Sequence, residues 1–235
     1  MAGKSGPDII ENGLILCLDA ANKTSYPGTG TTWKDLSGNN YNGTLTNGPT
    51  FSVSNMGSIV FDGVDDYATF GTPSLFAFGT GGFTINVWFS ITSIITGTSG
   101  DWVTIFSKGN YSGGDFSTLC NRSSDHVNYR TLRFYIGGGS FDTILDSPSL
   151  IANKWYNYTL TRNSTTLSSY VFGVPVNSTT NNTNISSNNT LRLARQENDE
   201  YPLPGRISLF QVYNIGFSQF DVLQNYNAIK SRFGL

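Results

Sequence analysis

Charge is what this sequence has least of. Of its 235 residues, 14 are Lys or Arg and 16 are Asp or Glu, so charged side chains make up 13% and the formal net charge is −2. A soluble domain usually carries about a quarter charged residues. No cluster of Lys and Arg exists to displace counterions from a phosphate backbone or to grip an anionic bilayer, which excludes nucleic-acid binding and polybasic membrane anchoring. There is one histidine, His126, and no Gly-x-Ser-x-Gly elbow, so nothing points to a hydrolase triad. The imidazole reads as a surface loop residue. The two cysteines, Cys17 and Cys120, exclude a disulfide scaffold and fit no zinc spacing. No apolar run approaches the roughly 18 residues that a membrane span requires. The opening stretch, Met1 to Asp8, has no apolar core of the kind a secretory leader needs.

What fills the space is neutral and polar. Asn, Ser, Thr and Gly total 103 residues, while 38% of the chain is apolar and 14% aromatic. That aromatic content is far above what disordered chains carry. The reading is one folded globule with a hydrogen-bonding but electrically quiet exterior. Residues 1–9 read as a tail and 10–235 as a single domain, with no internal repeat or linker.

Short runs of β-branched and aromatic residues, separated by Gly, Asn, Asp and Pro, predict a chain of strands. The clearest is 82–92, where Phe83, Ile85, Val87, Phe89 and Ile91 alternate with Thr84, Asn86, Trp88 and Ser90. Period-two alternation predicts one buried face and one partly wet face. Similar patterns predict strands at 154–162 and 206–213, the latter with Ile207, Leu209 and Gln211 on one face and Ser208, Phe210 and Val212 on the other. Further strands are expected at 14–18, 58–61, 67–70, 103–107, 116–120, 132–136, 141–145, 167–174 and 191–194. Cys17 falls in the first of these among Leu14, Leu16 and Leu18, which predicts a buried free thiol. The Asn-, Ser- and Thr-rich stretch 177–190 reads as an exposed loop or hairpin tip. Asn-x-Ser/Thr triplets recur (Asn22, Asn163 and Asn177 begin three of them), which follows from composition. One helix is predicted near the C-terminus: Ser218 and Asp221 form a capping-box pattern, Val222, Leu223, Tyr226 and Ile229 recur at helical spacing, and Gly234 can stop it. A dozen strands and one short helix predict an all-β, two-sheet antiparallel sandwich.

Four segments, in this order and spacing, carry a resemblance. They are Gly13 to Ala20 with Ser25-Tyr26-Pro27-Gly28 and Trp33-Lys34-Asp35-Leu36-Ser37-Gly38-Asn39; Gly57-Ser58-Ile59-Val60-Phe61-Asp62-Gly63-Val64-Asp65-Asp66-Tyr67; Phe83 to Phe89 with Trp155 to Thr161; and Gly205 to Asn214 followed by the helix. The set resembles the laminin-G-like branch of the concanavalin A-like lectin/glucanase superfamily. The resemblance implies a jelly roll of two stacked sheets, one of them concave. Chains of this style are similar to those of virion decoration or fibre proteins in tailed bacteriophages of aquatic bacteria. That likeness implies a place on a virion, with an extracellular site as the alternative. The implied partners are glycans or cell-surface polysaccharide and other virion proteins. The expected function is weak, non-enzymatic glycan binding, with a purely structural virion role through protein–protein contacts as the alternative and a glycoside hydrolase as a third reading. Where the family often has Tyr-x-Asn-Gly after its late strand, this chain has Tyr170-Val171-Phe172-Gly173, a departure that touches the local hairpin.

The superfamily includes glycoside hydrolases, which need two carboxyl groups facing one sugar ring. No predicted strand carries two acids on its polar face, and the acidic group at 197–200 sits in a loop, so no catalytic residues are assigned. Asp62, Asp65 and Asp66 crowd one turn, where oxygen-rich side chains suit Ca²⁺; the same turn also reads as a hairpin in which Asp66 caps backbone amides. Asp35, with Asn39 nearby, is a second candidate for the same ion. Sugars stack their apolar faces on aromatic rings, so Trp33, Tyr41, Trp88, Trp102 and Trp155 are the candidate carbohydrate contacts. Trp88 and Trp155 are placed by their strands on the polar face, a position that equally suits a second packed layer beneath loops, and Trp33, Tyr41 and Trp102 by their Gly-, Asn- and Ser-rich surroundings near loops.

Overall fold

A computed structural model describes residues 7–71, 74–96, 101–109, 115–125, 129, 131–144 and 151–235, without the side chains of 141–144. His126 lies outside the described residues. In chain order the strands are β1 (Leu14–Asp19), β2 (Thr32–Trp33), β3 (Gly43–Thr46), β4 (Thr50–Ser52), β5 (Ser58–Asp62), β6 (Tyr67–Thr69), β7 (Phe83–Ile91) and β8 (Trp102–Lys108). There follow β9 (Phe116–Asn121), β10 (Thr131–Ile136), β11 (Gly139–Ile144), β12 (Trp155–Asn163), β13 (Thr166–Val171), β14 (Val174–Thr180), β15 (Leu191–Leu193) and β16 (Pro204–Tyr213), then helix α1 (Gln219–Ile229). The first sheet runs β14-β13-β12-β7-β16-β5-β4, with β1 also paired to β16. The second runs β11-β10-β9-β8-β15-β6-β3-β2. The strand pairs within both sheets are antiparallel.

The predicted alternation builds the core. Phe83, Ile85, Val87, Phe89 and Ile91 point inward from β7, and Val103, Phe106, Cys120, Leu132 and Phe134 meet them from the second sheet. Phe106 and Phe210 touch across the gap, with ring centroids 5.6 Å apart. Both cysteines are free and buried, as predicted for Cys17.

Two predictions about faces need correction. The second face of β7 is not wet: every residue of the strand is buried. Helix α1 and the 3₁₀ turn that follows it, Lys230–Phe233, lie over this sheet and close a second apolar layer. In that layer Trp88, Leu209, Cys17 and Trp155 pack with Phe233, and Tyr170 and Tyr213 with Phe217 and Val222. The polar residues trapped beneath bond to one another across four strands. Gln211 Nε2 donates to Cys17 Sγ at 3.9 Å, Asn86 Nδ2 donates to Gln211 Oε1 at 2.9 Å, and Asn157 Nδ2 and Thr159 Oγ1 donate to Asn86 Oδ1 at 2.8 and 2.9 Å. Burial of these donors and acceptors is tolerable because they are paired, whereas Asn157 Oδ1 has no partner among the described residues.

The second correction concerns β16. A register shift between Ile207 and Leu209 puts Ile207 inward together with Phe210 and Val212, so Leu209 and Gln211 face the helix layer. One extra residue at Ser208 reverses the alternation. The run 167–174 is likewise two strands, β13 and the start of β14. They are joined at Phe172 and Gly173, whose φ values of 53° and 75° supply the left-handed backbone that a two-residue hairpin requires. The departure from Asn-Gly thus leaves the turn intact. The stretch expected as a loop from 177 begins as the exposed strand β14.

The helix forms as its sequence predicts. The Ser218 hydroxyl accepts from the Asp221 amide and the Asp221 carboxylate accepts from the Ser218 amide, completing a capping box. Gly234, at φ 71°, ends the final turn.

Candidate binding surface

Helix α1 covers the middle of the first sheet's outer face. On the outer face of the second sheet, β9 is buried throughout and β8 is buried apart from Trp102, and the side chains of Trp102, Arg133 and Tyr135 reach solvent. There Trp102 on β8 lies across β9 from Arg133 on β10, with Asn121 and Leu119 as their respective cross-strand partners on the strand between. The Arg133 guanidinium sits 4.8 Å from the centre of the Trp102 ring and 5.9 Å from that of Tyr135, within cation–π range. All three side chains are partly exposed. Next to them the loop 194–201 crosses the sheet. Thr104 N donates to Tyr201 O at 2.8 Å, Gln196 Nε2 donates to Ser117 Oγ at 3.1 Å, and Arg192 pairs with Asp199 at 2.8 Å while lying 4.4 Å over the Tyr67 ring. This loop holds the acidic group 197–200 and leaves Tyr201 exposed at its tip. The surface is therefore a rigid sheet bearing an aromatic–arginine row with a pinned loop as its wall.

Of the five aromatic candidates, Trp102 belongs to this surface. Trp33 and Trp88 are wholly buried, and Trp155 is 7% exposed. Trp33 packs in the main core. Trp88 stacks on Phe233 and Tyr226 at 4.2 and 5.8 Å. Trp155 donates its indole N–H to Asn55 Oδ1 at 2.8 Å and leans on Phe233. None of these three can offer a ring to a sugar. Tyr41 is partly exposed but packs on Phe76 at 6.1 Å, away from the row. Arg133 and Tyr135 were not singled out from sequence, although the alternation of β10 carries the signal: Leu132, Phe134 and Ile136 fill the core, which turns Arg133 and Tyr135 outward.

Asp35 commits both carboxylate oxygens to its own turn and β1. Its carboxylate is buried and accepts from Cys17 N, Ser37 N, Ser37 Oγ and Tyr41 N at 2.7–3.1 Å, fixing the 35–41 turn against the β1 edge. Asn39 is committed too, donating to Ile15 O at 3.1 Å. The turn at Asp62, Asp65 and Asp66 is different, because one oxygen from each carboxyl group lies within 4.8 Å of the others. Asp62 Oδ1 accepts from Val64 N and Asp65 N, and Asp66 Oδ2 accepts from Asp62 N, as the hairpin reading expects. Burial and, after it, the neighbouring Asp62 and Asp65 push the Asp66 carboxyl up from its ordinary value. Each group keeps a further oxygen, so this hard, anionic donor set fits Ca²⁺ chemically.

Together these features define a jelly-roll module of the lectin-like class. The chain belongs to the concanavalin A-like lectin/glucanases superfamily, through the laminin-G-like family whose profile matches residues 62–222. Among solved structures it is similar to the binding domain of Paraclostridial Mosquitocidal Protein 1 (TM-score 0.70, 17% identity, 93% of this chain and 52% of that one). It is also similar to the botulinum neurotoxin serotype D binding domain (0.68, 17%, 92% and 52%) and to Trypanosoma rangeli sialidase in complex with sialic acid (0.65, 17%, 94% and 33%). The chain thus spans about half the length of the toxin domains and a third of the sialidase. No curated protein matches it.

Proposed function

We propose that this chain is a non-enzymatic glycan-binding module whose contact surface is the outer face of the second sheet around Trp102. The observation that carries this reading is that Trp102 is the one tryptophan of four whose ring reaches solvent, and it does so beside Arg133 and Tyr135. A sugar offers C–H groups to an aromatic face and hydroxyls to neighbouring polar groups, and this row supplies both. The likeness to toxin binding domains supports the reading. The neutral, Asn- and Thr-rich exterior suits a weak, uncharged contact of the kind polysaccharides make. The setting we propose, from the four-segment resemblance, is a bacteriophage particle surface, with neighbouring virion proteins as its other partners. Ca²⁺, in this reading, is held by Asp62, Asp65 and Asp66 and steadies their turn, remote from any chemical step.

The test is glycan-array screening followed by titration of hits, read by intrinsic fluorescence. Three of the four tryptophans are shielded, so a bound sugar changes the Trp102 signal, and Trp102→Ala removes both the response and the binding. Absence of binding to any array or host-wall glycan at millimolar concentration overturns the proposal. Release of reducing sugar from such a glycan overturns the non-enzymatic part.

A further inference from the structure

We infer that the cleft between the C-terminal end of α1, β1 and the segment 7–14 is a binding site for a small aliphatic amine. The cleft measures about 960 Å³, within the range of small-molecule sites. It opens beside α1 on the outer face of the first sheet, on the opposite side of the sandwich from Trp102. Cys17 and Leu209 lie at its floor, and Ile9, Leu14, Leu36 and Ile229 along its sides. Those four side residues keep part of their surface exposed, which leaves apolar area for an occupant to cover. No aromatic ring is among the lining residues, so a sugar finds nothing there to stack on.

The walls are held in place before any ligand arrives. Ile10 N donates to Asn225 Oδ1 at 2.8 Å and Gln224 Nε2 donates to Asp8 O at 2.9 Å, which ties the N-terminal wall to α1. Cys17 N donates to Asp35 Oδ1 at 2.9 Å, which fixes the turn carrying Leu36 against β1. Arg232 donates to both oxygens of Asp19 at 3.0 Å, which anchors the turn after α1 to the same strand. A cleft preformed on three sides needs little ordering when it binds.

Charge selects the occupant. Asp8, Glu11 and Asp19 line the cleft together with a single cation, Lys230. Arg232 pairs with Asp19 from outside the lining, so three carboxylates against two cations leave one negative charge in excess. The Lys230 ammonium lies 5.4 Å from the centre of the Tyr226 ring, held at that face by cation–π attraction. The remaining wall is the last turn of α1 and its continuation, residues 227–231. A helix C-terminus carries partial negative charge. The excess carboxylate and the helix end both favour a cation over an anion, and the aliphatic sides favour an alkyl body to carry it.

The experiment is an NMR titration of the full chain, observing Leu and Ile methyl groups, with hexylamine, hexanol and hexanoate, which match in length and differ in charge. Hexylamine should shift the methyls of Leu14, Leu36 and Ile229 with a Kd of about 1 mM, the scale that so few atoms support. Hexanol should bind at least about threefold more weakly, and hexanoate not at all. Glu11→Lys reverses an exposed charge and should weaken hexylamine about fivefold with the melting temperature unchanged. Hexanoate binding as tightly as hexylamine overturns the inference, as does a Glu11→Lys variant that binds hexylamine like the parent. Because the parent chain alone reports the site, shifts confined to other methyls, or none at about 20 mM hexylamine, also overturn it. Nα-acetyl-lysine amide binding more tightly than hexylamine would mark a peptide as the occupant and overturn the small-amine assignment.

Discussion

Replacing Trp88 separates a core role from a ligand-contact role. Its indole is wholly buried, stacked between Phe233 and Tyr226, and its Nε1–H has no hydrogen-bond partner among the described residues. Truncating a large buried aromatic to alanine costs about 3–5 kcal/mol, and each ring pair adds about 0.5–1.5 kcal/mol beyond area burial. Against this, the substitution removes an unsatisfied buried donor, which returns about 1–3 kcal/mol. Trp88→Ala should therefore lower unfolding free energy by about 4 kcal/mol and loosen α1 from the sheet. Trp88→Phe keeps a ring in the stack and also removes the orphaned N–H, so it should change stability by no more than about 1 kcal/mol. Urea denaturation at constant slope measures both, and a change of about 4 kcal/mol corresponds to roughly 8–16 °C in melting temperature for a chain of this size. Trp102→Ala, made in parallel, should stay within about 1 kcal/mol of the parent, because its ring is partly exposed. A Trp88→Ala loss below about 2 kcal/mol, or a Trp102→Ala loss that equals it, would refute the assignment of the two rings.

Three further outcomes follow from single sites. Asp35→Ala leaves the amides of Cys17, Ser37 and Tyr41 without their acceptor and should destabilise by at least about 3 kcal/mol, since each buried amide left unsatisfied costs about 1–3 kcal/mol; calorimetry checks this. Burial, then the nearby Asp19, raises the Cys17 thiol from 9.0 to about 12. Its folded-state value exceeds the unfolded one, so the stability it contributes is whole below pH 9 and is lost as pH rises toward about 12. The melting temperature of Cys17→Ala should accordingly fall less steeply than the parent's between pH 9 and 11. Millimolar Ca²⁺ should raise the melting temperature by several degrees and EDTA reverse it, with Asp65→Asn abolishing the response; a parent chain indifferent to both discards the turn as a calcium site.

Much of the fold is legible in the sequence because period-two alternation is a local property. The nine residues of β7 display it, and so do β10 and β12. The capping box at Ser218 is equally local. What the sequence hides is the destination of the second face. Trp88 and Trp102 both sit on strands opposite core-facing residues, yet one lies beneath α1 and the other meets solvent. That difference is set by where a helix more than a hundred residues downstream comes to rest, which no pattern around Trp88 records. The bulge at Ser208 is hidden for a related reason: it inverts the alternation partway along β16 without a glycine or proline to announce it. Strands β2, β3 and β4, of two to four residues, are too short to show a period. At Asp35 and the Asp62 turn, acidic side chains alone could not reveal that the first spends its oxygens on backbone amides while the second keeps some in reserve.

The core beneath the second sheet also explains why the Trp102 row is a sound platform. A ligand surface must hold its side chains still without the help of a second packed layer above them. Here that rigidity comes from below and from the side. The main core locks Val103, Leu132 and Phe134, whose neighbours Trp102, Arg133 and Tyr135 are fixed by strand geometry to the opposite face. The wall at 194–201 is pinned by Gln196 on Ser117 and by Arg192 on Asp199. Cutting the wall by Gln196→Ala should leave the fold intact, because the Tyr201 backbone stays bonded to Thr104 N, yet it should loosen the loop that positions the Tyr201 ring. If Tyr201 contributes to glycan contact, affinity then falls while melting temperature holds within about 2–4 °C, the shift that 1 kcal/mol gives at this size. An equal loss of both would mean that the loop serves the core and that the contact surface is confined to the Trp102 row.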